Sequence, residues 1–295
     1  MAVYSISDLE KLCGIKAHTI RIWEQRYDIL APKRTKTNIR YYEDDDLRKI
    51  LNIALLNKNG FKISKIANMS DQEVMEKVGS LSEINFEHHT QLDAMTISMI
   101  EMDEVKFDRI VRTNIKQLGF EETMLSVVYP FLDKLSVLWL TGSIHPVQES
   151  FMSFLIRQKL LAAIDRLELK IGENSKCFMI YLPTGESQEL SLLFLSYLLQ
   201  SRGHKVIYLG QNITINDLKD ACVIRKPDYL FTMITESYTD QSVEVYIDEL
   251  SKSFPSCEIL LSGYQVIAQS ISRRGQIRPL ASLEETLDFL THLSS

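Results

Sequence analysis

From residue 176 onward the chain repeats one arrangement: a short, nearly uninterrupted apolar run, then a stretch with helical spacing. The runs are Lys176-Cys177-Phe178-Met179-Ile180-Tyr181-Leu182, Val206-Ile207-Tyr208-Leu209-Gly210, Asp228-Tyr229-Leu230-Phe231-Thr232-Met233 and Cys257-Glu258-Ile259-Leu260-Leu261-Ser262-Gly263. A strand that is apolar on both faces has to be covered on both faces, as the strands of a parallel sheet are. Alternation with helices then leaves a doubly wound α/β domain with right-handed crossovers. We expect it over residues 175–295, with Gln276-Ile277-Arg278-Pro279 as a fifth strand and a closing helix over 282–293. Such a sheet takes its ligands at the carboxyl ends of its strands. Here those are the loops at 183–188, 210–213, 233–239 and 262–265.

The chain before this domain has helical periodicity. Four helical stretches, 92–101, 104–118, 121–140 and 146–171, are joined by short breaks, which argues for a four-helix bundle over 76–171. Around 83–90 the sequence turns polar and reads as a loop. No Glu-x-x-His pair marks a di-metal site in the bundle, so its default role is structural or dimerising.

The first 72 residues differ again. Ser5 followed by Asp8 gives a capping-box pattern. Ile6, Leu9, Leu12 and Ile15 keep helical spacing, and Gly14 breaks the helix. A second short helix follows, with Ile15, Ile20, Trp23 and Tyr27 on an apolar stripe and His18, Thr19, Arg21, Gln25 and Arg26 on the other face. Lys16 or Ala17 stands where a capping Ser or Asn is expected. Two helices joined by a tight turn form a helix-turn-helix. After Pro32, polar residues around Thr37-Asn38 sit between β-compatible pieces, a basic hairpin carrying Lys33, Arg34, Lys36 and Arg40. Cations beside such a helix suit phosphate contacts. Glu43-Asp44-Asp45-Asp46 opens the next helix with anions at its positive end.

Charge separates this head from the rest. The net charge of −6 divides into +5 over residues 1–68 and −11 over the remainder. A basic head on an acidic body means that only the head is suited to a polyanion. The four cysteines are far apart, with no Cys-x-x-Cys pair, and read as reduced thiols. No run reaches membrane-span length, and Met-Ala-Val-Tyr-Ser lacks the basic-then-apolar order of a signal peptide. We expect a cytoplasmic protein.

The series of helix, turn, Thr19-Ile20-Arg21-x-Trp23-Glu24-x-Arg26-Tyr27, basic hairpin ending Arg40-Tyr41-Tyr42 and acidic-start helix resembles the DNA-binding domain of the MerR family of transcription regulators over about residues 2–70. The resemblance implies a winged helix-turn-helix that dimerises and reads an inverted repeat. It implies that His18, Thr19, Arg21, Tyr27 and Arg40 face DNA, while Trp23 and Tyr42 are core. With the basic residues read above, the DNA-facing set is His18, Thr19, Arg21, Arg26, Tyr27, Lys33, Arg34, Lys36, Arg40 and Tyr41.

The bundle and tail are similar to the helical cap and flavodoxin-like cobalamin-binding domain of light- or cobalamin-responsive MerR regulators. Trp139 and, ten positions on, Glu149 match the cap; the His expected after that Glu is Ser150, and the photoreceptors' His after the Trp is Leu140. In the Asp/Glu-x-His-x-x-Gly loop, Glu186 is kept, the cobalt-ligating His is Gln188 and the Gly is Ser191. The third strand offers Thr232-Met233-Ile234 and the fourth Ser262-Gly263. The pocket suggested by the resemblance comprises Trp139, Glu149, Glu186, Gln188, Thr232, Ser262 and Gly263. Gln is a poor ligand for Co(III), and His145 and His204 read as lone surface residues.

These readings predict a multidomain chain: winged helix-turn-helix, helical bundle and flavodoxin-like α/β domain, over 1–72, 76–171 and 175–295. Its function is that of a DNA-binding regulator reading a duplex operator as a homodimer or higher homo-oligomer. Its degenerate cobalamin-type sensor domain serves oligomerisation or answers a small molecule or a regulatory protein. The alternative is a genuine cobalamin-dependent light sensor with altered cobalt ligation. An enzyme such as a corrinoid methyltransferase subunit is not expected: there is no nucleophile–base pair, Gly-rich phosphate loop or metal cluster.

Overall fold

The computed structural model describes residues 4–34, 38, 40–84, 88–140, 144–168, 172, 174–235 and 242–294. They fall into two compact units, Met1–Ile156 and Arg157–Ser295.

The first unit begins with α1 (Ile6–Cys13), closed at its start by the reciprocal Ser5–Asp8 capping box and at its end by Gly14 in the left-handed region, φ +70°. Helix α2 (Ala17–Tyr27) has no side-chain cap from Lys16. The weak start expected from the sequence is repaired from outside the helix. Glu10 of α1 accepts the Ala17 N–H at 3.0 Å and pairs with Lys16 Nζ at 3.0 Å. These bonds hold the Glu10 carboxyl below its usual range, the Ala17 amide first and Lys16 second. A carboxylate at a helix N-terminus also meets the positive end of the dipole.

Strands β1 (Lys33–Arg34) and β2 (Arg40–Tyr41) pair antiparallel, Lys33 opposite Tyr41 and Arg34 opposite Arg40. A third short piece joins them: Tyr4 and Tyr42 exchange both backbone hydrogen bonds at 2.9 Å. Helix α3 (Asp44–Lys58) opens on a capping box between Glu43 and Asp46 and buries Leu47, Ile50, Leu51 and Leu55. The single turn α4 (Ile63–Ile66) follows.

The helical part contains α5 (Asp71–Ile84), α6 (His88–Ile100), α7 (Glu104–Leu118), α8 (Phe120–Thr123), a π-helical turn over Met124–Val128, α9 (Tyr129–Leu140) and α10 (Pro146–Asp165). Two expectations are corrected. The polar stretch 83–90 is largely helical, because α5 reaches Ile84 and α6 begins at His88; residues 85–87 lie outside the described ones. Helix α10 stops at Asp165 rather than running to 171. Polar composition does not mark the end of a helix here: Thr90, in α6, is buried. The core includes Met95, Phe107, Ile110, Val127, Phe131, Leu135 and Met152. Among these apolar side chains, Asn114 donates to Gln91 at 3.0 Å, so the buried amide is satisfied.

The second unit alternates throughout: β3 (Cys177–Pro183), α11 (Glu189–Ser201), β4 (Lys205–Ile213), α12 (Ile215–Ile224), β5 (Tyr229–Met233), α13 (Val243–Ser253), β6 (Glu258–Ser262), α14 (Tyr264–Ala268), β7 (Ile277–Pro279) and α15 (Leu283–Ser294). All pairings are parallel and the order is β4-β3-β5-β6-β7. This is the flavodoxin-like order, with its switch point between β3 and β5. Met179, Tyr181, Leu230, Ile259 and Leu261 fill one face of the sheet against Leu218, Ile247 and Leu250. The expected loop at 210–213 is instead the last part of β4, which runs past Gly210 through register shifts against β3. The short α14 was not expected from the sequence.

Candidate nucleic-acid interface and ligand site

Helix α2 buries Ile20 and Trp23; Ile15 and Tyr27, expected on the same stripe, are only half-buried. Its outer face carries exposed His18, Arg21, Gln25 and Arg26, with Thr19 half-buried beside them. Donors of this kind at the start of a helix can reach base edges and phosphates.

The hairpin stands next to this helix, held by Glu24. The Tyr42 hydroxyl donates to one Glu24 oxygen at 2.5 Å, and Arg40 Nε lies 3.7 Å from the other. Burial, and then the Glu24 carboxylate, raise the Tyr42 hydroxyl well above its ordinary value, so it stays a donor. Lys33 pairs with Glu43 at 2.6 Å, which raises its pKa. Arg34 Nη1 donates to the Asn38 side-chain oxygen at 2.9 Å. Lys33 and Arg34 nonetheless remain exposed, and Tyr41 and Arg40 are half-buried. Lys36 lies outside the described residues. Sequence reasoning missed Glu24 as the fastener between helix and hairpin, although it stands inside the Trp23-Glu24 motif. It also missed Tyr4 as the strand that backs Tyr42, for which a β-compatible residue just before the Ser5 cap was the only signal.

In the second unit, four of the expected pocket residues gather at the carboxyl ends of β3, β5 and β6. Glu186 is buried, 4% exposed, and accepts the Thr235 N–H at 2.8 Å. Gln265 holds the same residue from the other side, donating to the Thr235 carbonyl at 3.3 Å. Thr232 is fully buried in β5. The Ser262 carbonyl accepts the Ile234 N–H at 2.8 Å. Gly263, at φ +105°, comes so close that a Cβ there would stand 2.5 Å from the Ile234 carbonyl oxygen. The small residue at this position therefore serves the protein's own strand ends. Gln188 is half-buried just before α11. Glu149 belongs to the first unit, half-buried on α10, and accepts from Ser153 at 2.9 Å; the Trp139 side chain lies outside the described residues.

Residues 4–73 match the family described as MerR HTH family regulatory protein. The likeness to MerR regulators in this match lies in the head of the chain. Its MerR head is followed by a body that also has relatives. The HTH-type transcriptional repressor CarH of Myxococcus xanthus is 24% identical over 259 residues, 85% of this chain and 85% of that protein. The HTH-type transcriptional repressor CarA of the same organism is 23% identical over 282 residues, 94% and 90% of the two chains. Among solved structures, a monomethylamine corrinoid protein of Methanosarcina barkeri superposes with a TM-score of 0.44 at 12% identity, covering 76% of this chain and all of that one.

The donor set of the α/β unit does not fit histidine-ligated cobalamin. The α/β unit contains two histidines. His292 is in the last turn of α15. His204 immediately precedes β4, at the amino end of the sheet, and is buried rather than on the surface as expected. At the position matching the ligand stands the Gln188 amide, which lacks an imidazole lone pair. The Glu186 carboxylate is engaged by the Thr235 amide. Among the described residues no group of three or more His, Cys, Asp or Glu could hold a metal ion. No described helix is long and apolar enough to cross a membrane.

Proposed function

We propose that this protein regulates transcription by reading a duplex operator as a dimer through its MerR head. The observation that carries the reading is α2, with exposed His18, Arg21, Gln25 and Arg26 beside a basic hairpin locked to it through Glu24. In this reading α2 enters the major groove, with His18, Thr19, Arg21 and Tyr27 at base edges and the nearer phosphates. Arg26, Lys33, Arg34, Lys36, Arg40 and Tyr41 contact the backbone on either side. Two heads related by a two-fold axis match an inverted repeat.

The remaining parts, 76–171 and 175–295, serve oligomerisation and sensing. The sensor departs from its family at Gln188, Ser191 and Ser150, and in our reading it answers a ligand other than histidine-ligated cobalamin, or a protein partner. No step of regulation is routed through cobalt.

Fluorescence anisotropy with a labelled operator duplex tests the reading. Arg21→Ala lowers affinity by about 1–3 kcal/mol and relaxes base preference at one position of each half-site. Lys33→Ala weakens binding to all sequences and flattens the salt dependence. Unchanged affinity in both variants contradicts the assignment of this face.

A further inference from the structure

The second unit has a cavity that the regulatory reading does not use. It lies at the amino end of the sheet, away from the strand ends that hold Glu186 and Gly263. Its volume is about 460 Å³, and its polar lining is Gln200, His204, Lys205 and Arg225, with Val206, Ile207 and Cys177 of β3 completing the wall. The others come from the last turn of α11, the start of edge strand β4 and the end of α12.

Lys205 and Arg225 are donors only, while Gln200 has both an acceptor oxygen and an amide nitrogen that donates to Ser196 at 2.9 Å. His204 is 3% exposed. Its Nδ1 accepts the Lys176 N–H at 3.3 Å, which places the proton of the neutral ring on Nε2. That Nε2 is buried and has no hydrogen-bond partner. Burial, then Arg202 and Lys176, lower the His204 pKa, so the ring is neutral and a single N–H donor at pH 7. Neither Lys205 nor Arg225 has a carboxylate partner among the described residues. The nearest acid in sequence, Asp228, is engaged by the Cys177 N–H at 2.7 Å. Within a body carrying −11 over residues 69–295, this end of the sheet gathers Lys176, Arg202, Lys205 and Arg225. A buried donor without an acceptor is costly, and a cavity that sets such a donor beside two cations is completed by an acceptor-only group.

We propose that this cavity is a binding site for a small anion, a carboxylate or phosphate carried on a molecule with an apolar part. The anionic group sits between Arg225 and Lys205 and accepts from His204 Nε2–H and the Gln200 amide. The apolar part lies along Val206 and Ile207. The site is independent of DNA binding and of the crevice at the carboxyl ends of the strands.

The test uses the full chain with its histidine rings isotope-labelled, observed by NMR during titration with inorganic phosphate, with benzoate and with sodium chloride at matched ionic strength. The proposal predicts saturable movement of the His204 ring resonances with phosphate or benzoate but not with chloride. The stronger of the two probes identifies the class of anion. Arg225→Gln, a change at an exposed position, weakens that binding about tenfold, as loss of a charge-assisted hydrogen bond does. Lys252→Gln, an equal loss of charge on α13, leaves it unchanged. Equal shifts with chloride, no movement with either probe, or wild-type affinity in Arg225→Gln overturns the proposal.

Discussion

The Tyr42 hydroxyl, at the end of the hairpin, donates at 2.5 Å to the Glu24 carboxylate in the middle of α2. Eighteen residues of chain separate the two, and the bond fixes the hairpin's angle to the helix. Tyr42→Phe keeps the ring in its buried site and removes only the hydroxyl. It should cost about 1–2 kcal/mol in urea denaturation, since Glu24 keeps Arg40 but loses its neutral donor. Operator affinity should fall more than stability alone explains, because the two elements proposed to face DNA are no longer held at one angle. An unchanged denaturation midpoint would show that this bond does not matter.

Glu10 gives the head a pH dependence. Its carboxyl is lowered from 4.5 by the Ala17 amide and Lys16. A depressed carboxylate contributes stability that is fully present above its unfolded value and disappears as pH falls through its folded one. The difference in melting temperature between wild type and Glu10→Gln should therefore be constant at neutral pH and shrink below the ordinary carboxylate range. A difference that stays constant down to the most acidic point accessible contradicts the capping role.

Asp93 of α6 lies between two cations, Lys58 of α3 at 2.7 Å and Lys134 of α9 at 3.2 Å. Its side chain is 11% exposed, and it joins the DNA-binding head to the helical part of the same unit. Asp93→Ala leaves both cations without their counter-charge and should destabilise by about 3 kcal/mol, as breaking a largely buried pair does. Asp45→Ala, which removes the exposed partner of Arg48, should change stability by less than about 0.5 kcal/mol. Chemical denaturation of the two variants separates the cases. Because Lys58 and Asn59 end α3 while Asp93 and Thr90 belong to α6, operator affinity should also respond to Asp93→Ala.

Gln188 decides the cofactor question. After incubation with hydroxocobalamin or adenosylcobalamin in the dark, gel filtration should return a protein without stoichiometric colour. Gln188→His should raise retention of the pigment, because it restores an imidazole at the matching position. Stoichiometric colour in the wild type favours the altered-ligation sensor instead.

The α/β topology was legible because its strands are apolar on both faces, a pattern that few structures other than a parallel sheet can bury. The head was legible for a different reason: Ser5, Gly14 and Glu43–Asp46 are local signals whose meaning does not depend on distant residues. What escaped was long-range satisfaction of polar groups. The Glu10 cap of α2, the Glu24 fastener and the burial of His204 each join a polar side chain to a group elsewhere in the fold, and no periodicity announces such a pairing. The polar run 83–90 misled because polar residues end α5 and open α6, and polar helix ends share their composition with loops. At the expected ligand pocket, Glu186, Thr232, Ser262 and Gly263 do gather at one end of the sheet, but contacts of Glu186 with Thr235 and of Gly263 with Ile234 are also what hold the strand ends together.

The central claim is sequence-specific reading of duplex DNA by a dimer. Selection of binding sequences from a random duplex pool by the full-length protein, followed by affinity for the winner and for a scrambled duplex at fixed salt, tests it most directly. The account predicts an inverted repeat bound at least ~10³-fold more tightly than the scrambled duplex. Enrichment of no sequence, with equal affinity for both duplexes, would contradict it.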